Sequence, residues 1–165
     1  MEFEQTKIGI ETTYPDSGHV EIEYPWADKV GENRFQIKNF PFYAYGISYD
    51  DIVEAEFVNK DDKYPFFTKV ITKSGHRTLR IKLDESAKES KRSQGILDKL
   101  SSMECGYEGT NGEFYFVINV QPQCDFDAVR DFSTITIFVG NMQILHTRKC
   151  IAPIPNNRIN TRCAR

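Results

Sequence analysis

Short runs of alternating apolar and polar residues, broken every few positions by turn chemistry, restrict the front of this chain to a β-rich fold. Phe3, Ile8 and Ile10 punctuate residues 2–12, and Val20, Ile22 and Tyr24 fall on one side of the run from His19 to Tyr24. A period of two is the period of a half-buried strand. Between these runs, Tyr14-Pro15-Asp16-Ser17-Gly18 combines a fixed φ at Pro, locally bonding Asp and Ser, and a Gly able to take φ > 0. A hairpin is predicted there. Val30 to Arg34 reads as a second tight turn into Phe35-Gln36-Ile37. Asp51 to Val58 then sets Ile52, Val53, Ala55 and Phe57 against Glu54 and Glu56, and Phe66 to Ile71 follows a polar loop. Closely spaced strands of this kind make a small antiparallel sheet or a partly open barrel.

The pattern changes after residue 73. Leu79, Ile81 and Leu83 share one face of a strand over Arg77 to Leu83, and Ile96, Leu97, Leu100 and Met103 form the stripe of an amphipathic helix. The aromatic and β-branched run Glu113 to Val120 reads as a central strand. Over Phe126 to Val139 propensity favours a strand, but Ala128, Phe132, Ile135 and Val139 make a helical stripe, and a helix is predicted. Met142 to Lys149 would be the last strand. The order β-α-β(β)-α-β is that of a ferredoxin-like sandwich. The expected class is therefore α+β: a β-rich acidic lobe over 1–73, a ferredoxin-like lobe over 74–150, and a loose tail over 151–165.

At 165 residues, 39% of them hydrophobic, the chain can bury a core. Its start has neither a basic segment nor an unbroken apolar stretch, and no run approaches the roughly 18 apolar residues of a membrane span. A cytoplasmic location is expected. Cys105, Cys124, Cys150 and Cys163 are scattered, as are His19, His76 and His146, so free thiols and no metal site are expected. Charge is divided unevenly. Residues 1–62 carry five basic and fourteen acidic side chains, a net of −9, and residues 63–165 carry sixteen and ten, a net of +6.

The segment VEIEYPWADKVGENRFQIKNFPFYAYGISYDDIVEAE, followed by SGHRTLRI, resembles a bacterial domain-of-unknown-function family, number 4265. The residues that carry the likeness are Trp26-Ala27, Gly31, Phe35, Asn39 to Ser48, Asp51-Ile52-Val53-Glu54 and Ser74-Gly75-His76 to Arg80. It is specific over residues 20–80 and looser to about 150. Asp50 stands where the family has Gly, and because Asp tolerates φ > 0 less cheaply, a different turn is expected before Asp51. The resemblance implies a small bacterial protein without an assigned enzymatic activity. Some members of the family serve as immunity proteins to polymorphic toxins.

Ser74-Gly75-His76 with Arg80 is the most enzyme-like cluster, since an imidazole titrates near neutrality. It lacks a nucleophile elbow such as G-x-S-x-G. The structural reading is a Ser/Gly turn feeding a strand, and no catalytic residue or cofactor is expected. Asp50, Asp51, Glu54, Glu56, Asp61 and Asp62, with Tyr45 and Tyr49, are the expected docking surface for a basic protein partner. Trp26, Phe40 and Phe42 are assigned to the interior. Lys88, Lys91, Arg92 and Lys99 form a basic stretch, but it lacks interleaved aromatics in an acidic protein, which argues against nucleic acid. The first reading is thus a non-enzymatic immunity protein that binds a cognate toxin. The alternatives are a small-ligand protein or enzyme using His76, Arg80 and Asp51 between the lobes, and a nucleic-acid-associated regulator.

Overall fold

The computed structural model describes residues 4–14, 17–83, 92–110, 115–138 and 143–144. Its elements are β1 (Gln5–Lys7), β2 (Ile10–Thr13), β3 (Val20–Glu23), β4 (Trp26–Lys29), β5 (Arg34–Ile37), β6 (Ile52–Glu56), β7 (Phe66–Thr72), β8 (Arg77–Lys82), α1 (Arg92–Ser102), β9 (Gly106–Gly109), β10 (Tyr115–Val120), α2 (Phe126–Phe138) and β11 (Gln143–Ile144). The architecture is α+β, built mostly from antiparallel sheets.

The front strands pair in the order β1-β4-β5-β6-β7, with β2 and β3 as a separate hairpin. That hairpin falls where turn chemistry places it. Gly18 takes φ 66°, its amide donates to the Tyr14 carbonyl, and the Tyr14 amide donates to that of His19. Between β1 and β2 the chain reaches across to the opposite edge of the sheet. The Gly9 amide donates to the Pro65 carbonyl at 2.9 Å, and the Phe67 amide donates to the Gly9 carbonyl at 2.8 Å. A side chain at residue 9 would put its Cβ 2.8 Å from the Phe66 ring, so this crossing requires glycine. Ile8, Ile10, Ala27, Phe35, Ile37, Val53 and Ala55 fill the core beneath, together with Ala44 and Ile47.

In β3 the alternation is present but points the other way from a core-facing stripe. Val20 and Ile22 are more than 40% exposed, whereas Glu23 turns inward against a loop and Glu21 accepts from the Tyr14 hydroxyl at 3.0 Å.

The second sheet has the order β11-β8-β10-β9, all antiparallel. Leu79, Ile81 and Leu83 face a core made with Ile96, Leu97 and Leu100 of α1, Ile118 and Val120 of β10, and Val129 of α2. The α1 stripe is as its spacing predicts. Truncating Leu100, which is fully buried, to Ala would cost about 2–5 kcal/mol. Glu104, at φ 61°, ends this helix in the left-handed conformation, and the Cys105 amide bonds back to the Leu100 carbonyl.

Helix α2 forms over the predicted segment, started by the Asp125 carboxylate accepting from the Ala128 amide at 3.1 Å. Of the predicted stripe, Phe132 packs against the core but Ala128 is exposed, and Val129 and Ser133 are the buried residues. The Ser133 hydroxyl is satisfied by the Val129 carbonyl, which lets a polar residue sit inside. Only Gln143–Ile144 of the predicted last strand, and none of the 151–165 tail, is among the described residues.

Strand β8 is buried on both faces. Leu79 and Ile81 serve the helices' side. Thr78 and Arg80 alternate with them and face the loop 40–51 that joins β5 to β6.

Candidate functional site

The loop Phe40 to Ser48 carries aromatic and small residues and no ionisable group other than tyrosine, so its backbone needs partners from elsewhere. Two opposite charges supply them. From β8, the Arg80 guanidinium donates through Nε to the Phe42 carbonyl at 2.6 Å and through one terminal nitrogen to the carbonyls of Pro41 at 2.8 Å and Ala44 at 2.6 Å. Its plane also lies over the Tyr45 ring, 4.5 Å from the centroid. From the end of β3, the Glu23 carboxylate accepts from the amides of Phe42 at 2.9 Å, Tyr43 at 3.3 Å and Ala44 at 2.6 Å. The Tyr115 hydroxyl adds a further bond to the Phe42 carbonyl at 2.8 Å. Burial pushes Glu23 above the ordinary carboxylate range, although the three amides and the nearby Arg80 pull it down.

A second carboxylate closes the other end of the loop. Asp51 is fully buried; it accepts from the Ser48 amide and the Ser74 amide, each at 2.8 Å, and meets the Lys73 ammonium at 2.9 Å. Lys73 also donates to the Gly46 carbonyl, and the Ser74 hydroxyl to the Tyr49 carbonyl at 2.7 Å. This network ties the β7–β8 turn to the start of β6.

Beside the clamped loop lies a cleft of about 360 Å³, lined chiefly by Tyr24, Trp26, Phe40, Phe42 and Tyr43, with Glu23 and Glu108 at its polar side. Trp26 is 45% exposed and Phe40 and Phe42 are half-buried, which corrects their assignment to the interior. The reason is that β4 carries Ala27 to the core, and the residue next to it must point the other way. Asn39 spans the cleft wall. Its Oδ1 accepts from the Trp26 amide at 2.7 Å, while its side chain bonds the Glu108 carboxyl. Burial still holds Glu108 above the usual carboxylate range. Phe40 reaches β9 because Gly106 leaves room there; a Cβ would stand 3.1 Å from the ring.

The sequence pattern of the family described as Domain of unknown function (DUF4265) matches residues 23–140. The chain belongs to this family. The matched DUF4265 segment takes in Glu23, Arg80, Asp51 and every residue of the cleft wall. The fold is similar to the crystal structure of a hypothetical protein from Neisseria gonorrhoeae, with a TM-score of 0.69 at 17% identity over 89% of this chain and 96% of the other. None of the curated proteins searched matches the chain.

The acidic residues expected to form a docking surface are mostly engaged inside this DUF4265 chain. Asp51 is interior. Asp50 pairs with Lys38 at 2.7 Å, and Lys69 at 3.0 Å holds Glu54 below the ordinary carboxylate range. Asp62 accepts from the amides of Val58 and Asn59 and so closes its own turn. Glu56 and Asp61 are exposed, Glu56 within 3.5 Å of the Asn33 amide nitrogen. Tyr45 lies under Arg80, and Tyr49 packs between Phe40 and His76. The division of charge at residue 62 also cuts through one sheet, since Lys69 and Lys73 answer acids of β6 and its entry turn.

Asp50 adopts φ 60°, so the turn keeps the left-handed geometry a glycine would take, contrary to the expected difference. His76, Arg80 and Asp51 each have their own partners. The His76 ring meets Asn119 Oδ1 at 3.0 Å and Tyr49, Arg80 the loop carbonyls, and Asp51 Ser48, Lys73 and Ser74. Among the described residues, no group of three His, Cys, Asp or Glu is placed to hold a metal, and no helix is long and apolar enough to cross a membrane. Cys105 and Cys124, distant in sequence, are neighbours with free thiols, and burial pushes Cys105 up to about 11. Of the basic stretch, Lys88 and Lys91 lie outside the described residues, and Lys99 is exposed.

Proposed function

We propose that this DUF4265 protein is a non-enzymatic protein-binding module of the bacterial cytoplasm that neutralises a cognate toxin by covering a basic surface on it. One observation carries the reading. Val20, Ile22, Tyr24 and Trp26, at alternate positions from β3 into β4, are each more than 40% exposed, and Tyr24 and Trp26 line a cleft with carboxylates at its side. Exposed aromatic and aliphatic anchors beside a polar rim are the composition of an interface rather than of an idle surface. The carboxylates favour a cationic partner and speed its approach.

Glu56 and Asp61 would contribute at the edge. The strand order β11-β8-β10-β9, with α1 between β8 and β9 and α2 between β10 and β11, supports reading the back half as a ferredoxin-like sandwich that carries β9 into the cleft wall.

Co-expression with the protein encoded by the neighbouring upstream gene tests this directly. Rescue of growth and a co-purifying complex that Ile22→Lys disrupts are expected. The absence of both rescue and complex would sink the proposal.

A further inference from the structure

Five aromatic rings, Tyr24, Trp26, Phe40, Phe42 and Tyr43, converge on a cleft whose size suits one extended side chain rather than a large cofactor. The faces of aromatic rings are electron-rich and attract cations. Trp26 already accepts one in this fold, since the Lys7 ammonium stands 4.9 Å from its ring centroid, and Lys7 is not part of the cleft lining.

The two carboxylates at the cleft's side are not equivalent. Glu23 has both oxygens committed to loop amides and Arg80 nearby. Glu108 is bonded by the neutral Asn39, and among the described residues no lysine or arginine forms an ion pair with it. A partly buried carboxylate without a cation, at the edge of an aromatic cleft, is complementary to a flat, weakly hydrated cation that can stack and donate two parallel hydrogen bonds.

We infer that the cleft binds one arginine side chain of the protein partner, its guanidinium between the aromatic rings and the Glu108 carboxylate. That the arginine belongs to a protein rests on the function proposed above; the cleft's preference for the cation does not.

Trp26 is the chain's one tryptophan, so its emission reports on the cleft. Titration with acetyl-Gly-Arg-Gly-amide should give a saturable change in that emission. The citrulline peptide, neutral but nearly the same shape, should bind at least about tenfold more weakly. Glu108→Gln should weaken the arginine peptide by about tenfold without altering the citrulline peptide or lowering the unfolding midpoint, and Glu32→Gln, at an exposed site outside the cleft, should change nothing.

Equal responses to arginine and citrulline, no saturable response to arginine, or an unaffected Glu108→Gln variant would each overturn the inference. If the toxin experiment fails and the titration succeeds, the cation site stands and its source is another protein. If a toxin complex forms and the titration fails, the cation site falls alone.

Discussion

Arg80 is 1% exposed and Ile22 is 41% exposed, although each sits in a β-strand one residue away from a side chain of opposite character. Hydropathy alone would exchange them. The difference lies in what each strand faces. Arg80 and Glu23 face an irregular loop held between the two sheets, and a loop buried in that way presents amides and carbonyls that water cannot reach. One carboxylate accepts three such amides, and one guanidinium spans three such carbonyls. Among the described residues, no buried side-chain nitrogen or oxygen is left without a partner. Once Glu23 must point inward, the two-residue period of β3 turns Val20, Ile22 and Tyr24 outward. The exposed apolar face is thus the other side of the polar clamp, and the two regions should respond to mutation in opposite ways.

The largest effect should come from the clamp. Arg80→Leu strands three carbonyls and removes the positive charge near Glu23, at a cost of about 3–5 kcal/mol, read as a lowered denaturant midpoint. Arg80→Lys should recover only part of this, because a single ammonium cannot reproduce the fork. A variant as stable as the parent would dissolve the contrast.

Asp51→Asn keeps the shape but removes the charge that Lys73 and two amides address, and should cost about 2 kcal/mol in the same measurement. Smaller again is a pH effect. Glu23 and Glu108 sit above the ordinary value of 4.5 in the folded protein, so the folded state holds more protons than the unfolded one just above that pH. Stability should therefore decline as pH rises through that window, and Glu108→Gln should flatten part of the slope. A slope that rises instead would reverse the assignment. On the outer face, Ile22→Thr should move stability by less than about 0.5 kcal/mol while weakening the toxin complex, which calorimetry on the free and bound protein would separate.

Much of the fold was legible because it is written locally. The Tyr14 to Gly18 turn, the Val53 and Ala55 face of β6, the Leu79 and Ile81 face of β8 and the stripe of α1 all depend on neighbours within a few residues. The helix over Phe126–Phe138 was legible from periodicity against propensity, although Ser133 rather than Ala128 faces the core because the Val129 carbonyl satisfies its hydroxyl.

The site was read less well. Trp26, Phe40 and Phe42 look like core by composition, and Asp51 looks like surface by charge. A signal for the clamp was nonetheless present: an arginine set between Leu79 and Ile81 in an apolar strand, and a loop from Phe40 to Ser48 with no carboxylate of its own. Both imply polar groups that must meet inside.

By itself, the sequence determined the course of most strands and of both described helices, which residues alternate, and that the class is α+β, since these follow from backbone sterics and short-range periodicity. Only the tertiary structure decided which side of β3 is the inside. That choice depends on the backbone amides of a loop some twenty residues away, and hydrogen-bond demand at that distance has no period to read.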